Sequence, residues 1–265
     1  MARKHSWANP ASTNRMNSPD KEVNALEQEK QLAAKAAVQL VEPGSVVGLG
    51  SGSTATYALR YLAERVRDGL KILGIPTSQK IKQLAEQLAI PLTTLEEHPR
   101  IDIDIDGADE IDPQLNLIKG GGGALLREKI IASASRRFIV VAESKKQVAR
   151  LGKFPLPVEV IPFAETLIKS RIETLGAQMS LRKYAYGNPY VTDEGHHILD
   201  CNFGEIADPP ALAQKLRAIP GVVEHGLFIG MAEMALVGIG GKVVQIGPVH
   251  SGSGFFKGHG SIRET

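Results

Sequence analysis

The chain has 265 residues, 43% hydrophobic and 23% charged, enough to bury a full core in one large domain or two unequal ones. A formal net charge of +2 is too small to indicate nucleic acid or an anionic membrane as a partner. The single Cys201 excludes an intrachain disulfide framework and a cysteine-rich zinc site and fits a reducing, cytoplasmic compartment, and no apolar run approaches the roughly 20 residues that span a bilayer.

Residues 1–24 are expected to form a disordered tail. The first 20, MARKHSWANPASTNRMNSPD, are polar, rich in Ser, Asn and Pro, and lack the apolar core of a secretory signal. They are also basic and nearly free of acids, so organellar targeting is the other reading. Residues 27–41 carry apolar side chains at helical spacing (Leu32, Ala36, Val38, Leu40) and stop at Pro43-Gly44. A short strand over 45–49 runs into Gly50-Ser51-Gly52-Ser53-Thr54 and a helix over 55–67. That layout offers N–H groups and hydroxyls to a phosphate. It is not the dinucleotide fingerprint, since Ser53 stands where the last glycine of G-x-G-x-x-G belongs, nor a P-loop, since no Gly-Lys-Ser/Thr follows. A tight strand-to-helix turn is the structural alternative.

A strand over 71–75 and a helix from Pro76-Thr77-Ser78 to residue 88 lead to the most unusual stretch, 101–129, IDIDIDGADEIDPQLNLIKGGGGALLREK. Ile101, Ile103 and Ile105 alternate as one face of a strand, with Asp102, Asp104 and Asp106 on the other. Only Asp106 stands at the loop end, so Asp102 and Asp104 are expected to face solvent or cap neighbours. A turn loaded with carboxylates follows (Asp106-Gly107-Ala108-Asp109-Glu110). A second apolar run, 115–118, ends at Lys119, and four glycines lead into a helix near Ala124. Such a loop presents N–H groups and a positive helix end to an anion. Residues 138–142, FIVVA, read as a strand covered on both faces. Strands alternating with helices argue for a doubly wound, Rossmann-like α/β sheet with ligands at the carboxyl ends of its strands.

The pattern changes after Lys153. Strands are expected over 158–161, 178–182, 190–192 and 197–201, the last two as a hairpin through Asp193-Glu194-Gly195, with helices over 164–175 and 209–218 and a strand starting at Val222. This β-α-β-β-α-β order describes a smaller α+β module of the split βαβ, ferredoxin-like kind, a lid over 153–225. The α/β domain is then discontinuous, 25–152 with 226–265. Residues 227–246 are apolar strands expected to rejoin its sheet, and the tail from Gly247 is expected to be loose. His196-His197 is read as hairpin surface, because adjacent strand residues point to opposite faces, and His225, His250 and His259 as isolated.

Moving a proton between adjacent carbons of a sugar needs one base, and a group to stabilise the oxyanion that forms. Asp106, Asp109 and Glu128 beside Lys119 and oriented N–H groups supply both. Glu128 lies among Leu125, Leu126, Ile130 and Ile131 on a helix apolar over a wide arc, so burial is expected to raise its pKa. Otherwise Glu128 simply favours the helix start electrostatically.

The segments D-G-A-D-E, L-N-L-I-K-G-G-G-G-A-L-x-R-E-K-I and L-G-K-F-P-L-P-V-E-V-I-P, with G-L-G-S-G-S-T-A at 48–55, closely resemble the type A ribose-5-phosphate isomerase family over residues 28–246. The resemblance implies interconversion of D-ribose 5-phosphate and D-ribulose 5-phosphate in the pentose phosphate pathway, through an enediolate, with neither metal nor cofactor. It implies Glu128 as the proton-transferring base, Asp106 in ring opening, and Asp109 with Lys119 at the reacting end. It lines the substrate site with Ser51, Gly52, Ser53, Thr54, Asp106, Gly107, Ala108, Asp109, Lys119, Gly120, Gly121 and Gly122. Lys30 and Lys146 match basic residues of the phosphate pocket, with Lys145 the alternative one position away. Asp104 stands where the family carries a small or apolar residue. A homodimer or homotetramer is implied. Two other readings are an amino-sugar phosphate deaminase, which would want a histidine near the loops where only His98 is available, and a sugar-phosphate sensor, which would want a helix-turn-helix or basic arm.

Overall fold

In a computed structural model of the chain, residues 18–247 are described. The first helix, α1 (Ser18–Val38), starts well before its apolar pattern begins, so residues 18–24 are helix and not tail. The expectations for residues 1–17, for the tail after Gly247 and for His250 and His259 lie outside the described residues. Among the described residues no helix is long and apolar enough to cross a membrane.

The first half alternates as its pattern predicts: β1 (Val46–Leu49), α2 (Ser53–Arg67), β2 (Leu73–Pro76), α3 (Gln79–Gln87) and β3 (Ile103–Gly107). Ser78 caps α3 by accepting from the Ile81 N–H. Then come β4 (Glu110–Ile111), β5 (Leu117–Ile118), α4 (Leu125–Ala134) and β6 (Phe138–Glu143). The chain returns at its end through β12 (Met234–Ile239) and β13 (Lys242–Ile246), giving a six-stranded sheet in the order β13-β12-β6-β3-β1-β2. Its strands are parallel except for the edge strand β13. The α1, α2 and α3 helices cover one face, packing Ala33, Ala37, Leu59 and Ile81 on Val47, Ile103, Ile105 and Ile139. Alanines at the α1 contact let the helix backbone come close to α2 and the sheet.

Between these parts lies a second unit: β7 (Leu156–Val160), α5 (Glu165–Glu173), β8 (Gln178–Leu181), β9 (His197–Asn202), α6 (Pro209–Arg217) and β10 (Val222–His225). Its sheet runs β10-β7-β9-β8 with every pairing antiparallel, the ferredoxin-like arrangement, over a core that includes Val158, Ile168, Ile172, Leu199 and Leu216. The hairpin within it is β8 with β9. The strand expected over 190–192 is not formed: the segment is a long β8–β9 connection with one Lys183–Pro189 bridge and a turn at Thr192.

Residues 227–246 divide. Only β12 and β13 rejoin the large sheet, while β11 (Leu227–Phe228) pairs with β5 in a small sheet β11-β5-β4. This small sheet and α4 cover the second face of the large sheet, where Phe138, Val140, Ala132 and Phe228 meet. Asp104 and Asp106 pair in register with Phe138 and Val140, so their side chains belong to that covered face. Both are fully buried. The expectation that Asp104 faces solvent is therefore wrong. Asp102, at the open end of the run, does what was expected by accepting the Val46 N–H.

Candidate active site

The site lies at the carboxyl ends of β1, β3 and β5. Three loops converge there, and their walls are Ser51 to Thr54, Gly107 to Asp109, and Lys119, Gly120 and Gly122, closed by Glu128 and Lys146. The close approach of the first two loops needs glycine at position 50, where a Cβ would stand 2.4 Å from the Asp106 Cα. With the strands that close, the Ser51 N–H donates to Asp106 Oδ1 at 2.8 Å and the Gly107 N–H to the same oxygen at 2.7 Å. The Ser51 hydroxyl lies 2.9 Å from Thr77 Oγ1 and 3.0 Å from Ser78 Oγ, so the first loop is braced by the start of α3.

Lys119 occupies the centre. Its Nζ donates to the Gly107 carbonyl at 2.5 Å and stands 3.0 Å from Asp106 Oδ2 and 3.4 Å from Glu128 Oε2. Burial opposes the ammonium, but Asp106 and then Glu128 outweigh it, and the Lys119 pKa is raised. The surrounding carboxylates thus favour the ammonium form. Burial raises Asp106 against the pull of Lys119, and pushes Glu128 up to about 8, again against Lys119. Glu128 is held there by α4, whose Leu125, Ile131 and Ala132 are buried with it, while Ile130 is 43% exposed, so the helix is less apolar-covered than its composition suggests. Glu128 Oε1 has no protein partner among the described residues.

The remaining predicted residues divide. Asp109 lines the cleft and accepts the Gly121 N–H at 2.7 Å, and a Cβ at Gly121 would run into that carboxylate. Gly121 is exposed and is not among the residues that line the cleft. Asp106 is fully buried and is not among the residues that line the cleft. Lys146 is at the cleft and Lys145 is not, being paired outside with Glu22 at 2.5 Å. Lys30 is not in the wall either. Its Nζ is 2.7 Å from Glu27 Oε1, and Glu27 also accepts from Tyr57 of α2 at 2.7 Å.

Sequence reasoning passed over Arg182, and the structure also places Asp104 and the histidines that it set aside. Asp104, whose carboxyl oxygens have no hydrogen-bond partner among the described residues, lies on the face shared with Asp106, and burial and then Asp106 raise its pKa well above the usual range. Arg182, after β8, donates to the Gly120 carbonyl from 62 positions away. His225 is not isolated but fully buried, its Nδ1 3.4 Å from the Lys129 ammonium, which pairs with Glu224 at 2.8 Å. His196 and His197 are half-buried and pair with different carboxylates, Glu159 and Glu165, as expected of side chains on opposite faces.

A family model described as "Ribose 5-phosphate isomerase A (phosphoriboisomerase A)" matches residues 73–241. A ribose-5-phosphate isomerase A of Synechococcus sp. (strain JA-3-3Ab) is 54% identical over 211 residues, which cover 78% of this chain and 92% of that protein. The chain belongs to the ribose 5-phosphate isomerase A family. It is an aldose–ketose isomerase that interconverts D-ribose 5-phosphate and D-ribulose 5-phosphate, a step of the pentose phosphate pathway. Solved members of the family share its fold. The enzyme of Methanocaldococcus jannaschii superposes with a TM-score of 0.80 at 42% identity, covering 83% of this chain and 98% of that one. A D-ribose-5-phosphate isomerase in complex with phospho-erythronic acid superposes with a TM-score of 0.82 at 40% identity, covering 84% and 99%.

Proposed function

We propose that Glu128 carries the proton of the isomerisation between C2 and C1 of the open-chain sugar. The observation behind this is a nearly fully buried carboxylate with a pKa of about 8, one oxygen turned to Lys119 and the other free. A base whose pKa lies near the working pH removes and returns a proton with comparable ease. In the forward direction Glu128 takes the C2 proton of ribose 5-phosphate. The electron pair moves into a C1–C2 double bond, and negative charge gathers on O1. Return of the proton to C1, with transfer of the O2 hydroxyl proton to O1, gives the ketose. Lys119 and the N–H groups of the glycine loop stabilise the oxyanion, which is where fixed charge in a water-poor site is worth most. Asp109 binds the sugar hydroxyls beside them. Asp106 acts behind the wall, orienting Lys119 and tying the Ser51 and Gly107 N–H groups to one oxygen. The charge that a divalent ion would bring to such a carboxylate cluster is brought by the Lys119 ammonium, so the reading needs no metal.

The phosphate sits at the other end of the cleft, on Ser51 to Thr54 at the start of α2 with Lys146. Lys30 joins when phosphate competes with Glu27 for its ammonium. The acid bound by the related enzyme, a phosphorylated four-carbon aldonate, has the same two ends as the open-chain sugar phosphate. Residues 25–152 and 226–265 form the catalytic domain in this reading, and 153–225 the lid. A cytoplasmic location fits the single buried Cys201. A homodimer or homotetramer fits the exposure of Phe163 (99%) with Leu167 and Ile161 beside it.

The test is Glu128→Gln. Turnover should fall by roughly 10² to 10⁴-fold while phospho-erythronate binding persists, because only the proton carrier is removed. Rates near wild type would refute the assignment.

A further inference from the structure

The Gly120–Gly123 loop is held from outside by the second sheet. Arg182 donates through Nε and Nη2 to the two oxygens of Asp200 on β9, at 3.0 and 2.5 Å. This two-point pairing fixes the plane of the guanidinium. Its remaining corner, Nη1, donates to the carbonyls of Gly120 at 2.8 Å and Gly121 at 3.2 Å. The side chain is 14% exposed; the bonds to Asp200 and Gly120 are half-buried, and the one to Gly121 lies at the surface.

The consequence for the cleft follows from peptide geometry. The described residues contain no cis bond, and in a trans peptide a carbonyl and the following N–H point in opposite directions. With the Gly120 carbonyl turned to Arg182, the Gly121 N–H must point away, and it meets Asp109 Oδ2 at 2.7 Å on the cleft side. With the Gly121 carbonyl turned to Arg182 as well, the Gly122 N–H is turned away from the arginine in the same manner. Gly122 forms part of the cleft wall, and its N–H has no acceptor among the described residues. Tyr190 of the same unit backs the next residue: a Cβ at Gly123 would lie 2.3 Å from the Tyr190 hydroxyl.

We propose that Arg182 is a positioning residue for the isomerisation: by holding the Gly120 and Gly121 carbonyls it aims the Gly122 N–H at the oxyanion of the enediolate. The inference rests on the proposed placement of the sugar's reacting end against the glycine loop. It makes the second sheet a working part of the active site, since Asp200 of β9 sets the arginine that sets the loop.

Arg182→Met removes the fork and keeps the aliphatic stem. Removing an oxyanion donor outright costs about 10² to 10³ in kcat, so misaiming one should cost roughly 10- to 100-fold. KM for ribose 5-phosphate should change by less than about threefold, because the phosphate end is untouched. Affinity for phospho-erythronate, whose carboxylate takes the place of the enediolate, should weaken in step with kcat. Arg182→Lys, which retains a donor without the fork, should recover part of the rate. A folded Arg182→Met enzyme with wild-type kcat overturns the inference, as does a loss of kcat matched by an equal rise of KM and a lowered melting temperature. If Arg182→Met does not fold, Asp200→Asn carries the test: a smaller fall in kcat at constant KM supports the inference and unchanged kcat overturns it. Glu128→Gln is measured in the same assay. If it stays active, the reading of the site fails and the inference with it; if it is inert while Arg182→Met is unimpaired, only the inference fails.

Discussion

The Lys119 ammonium stands 3.4 Å from Glu128 Oε2, and each group favours the charged form of the other. Burial pushes the carboxyl up to about 8, and Lys119 is what keeps it from rising further. The base works only when ionised, so kcat/KM should climb as pH rises through about 8 and fall about tenfold per unit below it. Lys119→Met removes the cation that lowers the pKa, so the limb should move to higher pH while kcat drops by roughly 10²-fold or more. The check is a pH–rate profile of both proteins. A flat wild-type profile from pH 6 to 9 would exclude Glu128 as the titrating base.

Asp104 gives a stability prediction of definite sign. Burial raises its folded-state pKa well above the usual 3.8, with Asp106 adding to the shift. The folded protein therefore retains a proton that the unfolded chain releases. Stability is lost as pH rises above about 4, until Asp104 ionises in the folded state too. Asp104→Asn keeps the shape without a proton to lose, so its stability relative to wild type should grow with pH. Denaturant midpoints of the two proteins at pH 5 and pH 8 decide the matter. A difference that does not change between those pH values would mean that Asp104 is ionised in the fold.

What could be read from the sequence was local. The glycine run, the carboxylate turn, Lys119 and Glu128 lie within thirty positions, and strand alternation already put Asp102, Asp104 and Asp106 on one face. Alternation does not say what covers a face. The cover of that face comes from α4 and from the small sheet, whose Phe228 lies more than a hundred positions away, so no spacing announced the burial of Asp104. Arg182 was illegible for the same reason. The failed strand over 190–192 is a competition lost: Tyr190 turns to back Gly123, and the backbone around it closes a small bridge and a turn instead of a ladder.

Lys146 and Lys30 should separate by degree. Lys146 lines the cleft and its nearest acid, Glu143, is 4.0 Å away, so its charge is available to the phosphate. Lys146→Met should raise KM by about 10- to 100-fold, the value of a hydrogen bond between charged groups, with kcat largely retained. Lys30 must first give up its 2.7 Å contact with Glu27. Lys30→Ala should therefore raise KM by a smaller factor, and Glu27→Gln should lower it. Steady-state kinetics on the three variants test this, and an unchanged KM in Lys146→Met would move the phosphate elsewhere.

Gly123 meets two separate demands, and mutation can pull them apart. Its φ of +82° is a conformation that costs a side-chain-bearing residue about 1–2 kcal/mol. A Cβ there would also sit 2.3 Å from the Tyr190 hydroxyl and 2.5 Å from Cζ, and Tyr190 cannot swing freely because Tyr184 packs on it at 5.1 Å. Gly123→Ala should thus lower both melting temperature and kcat, the latter by moving the loop that carries the Gly122 N–H. Tyr190→Ala removes the overlap but not the backbone cost. The double variant should then be less impaired than the sum of the single ones, with a coupling of about 0.5–3 kcal/mol typical of residues in contact. Strict additivity in melting and kinetics would mean that the loop and Tyr190 do not touch in solution.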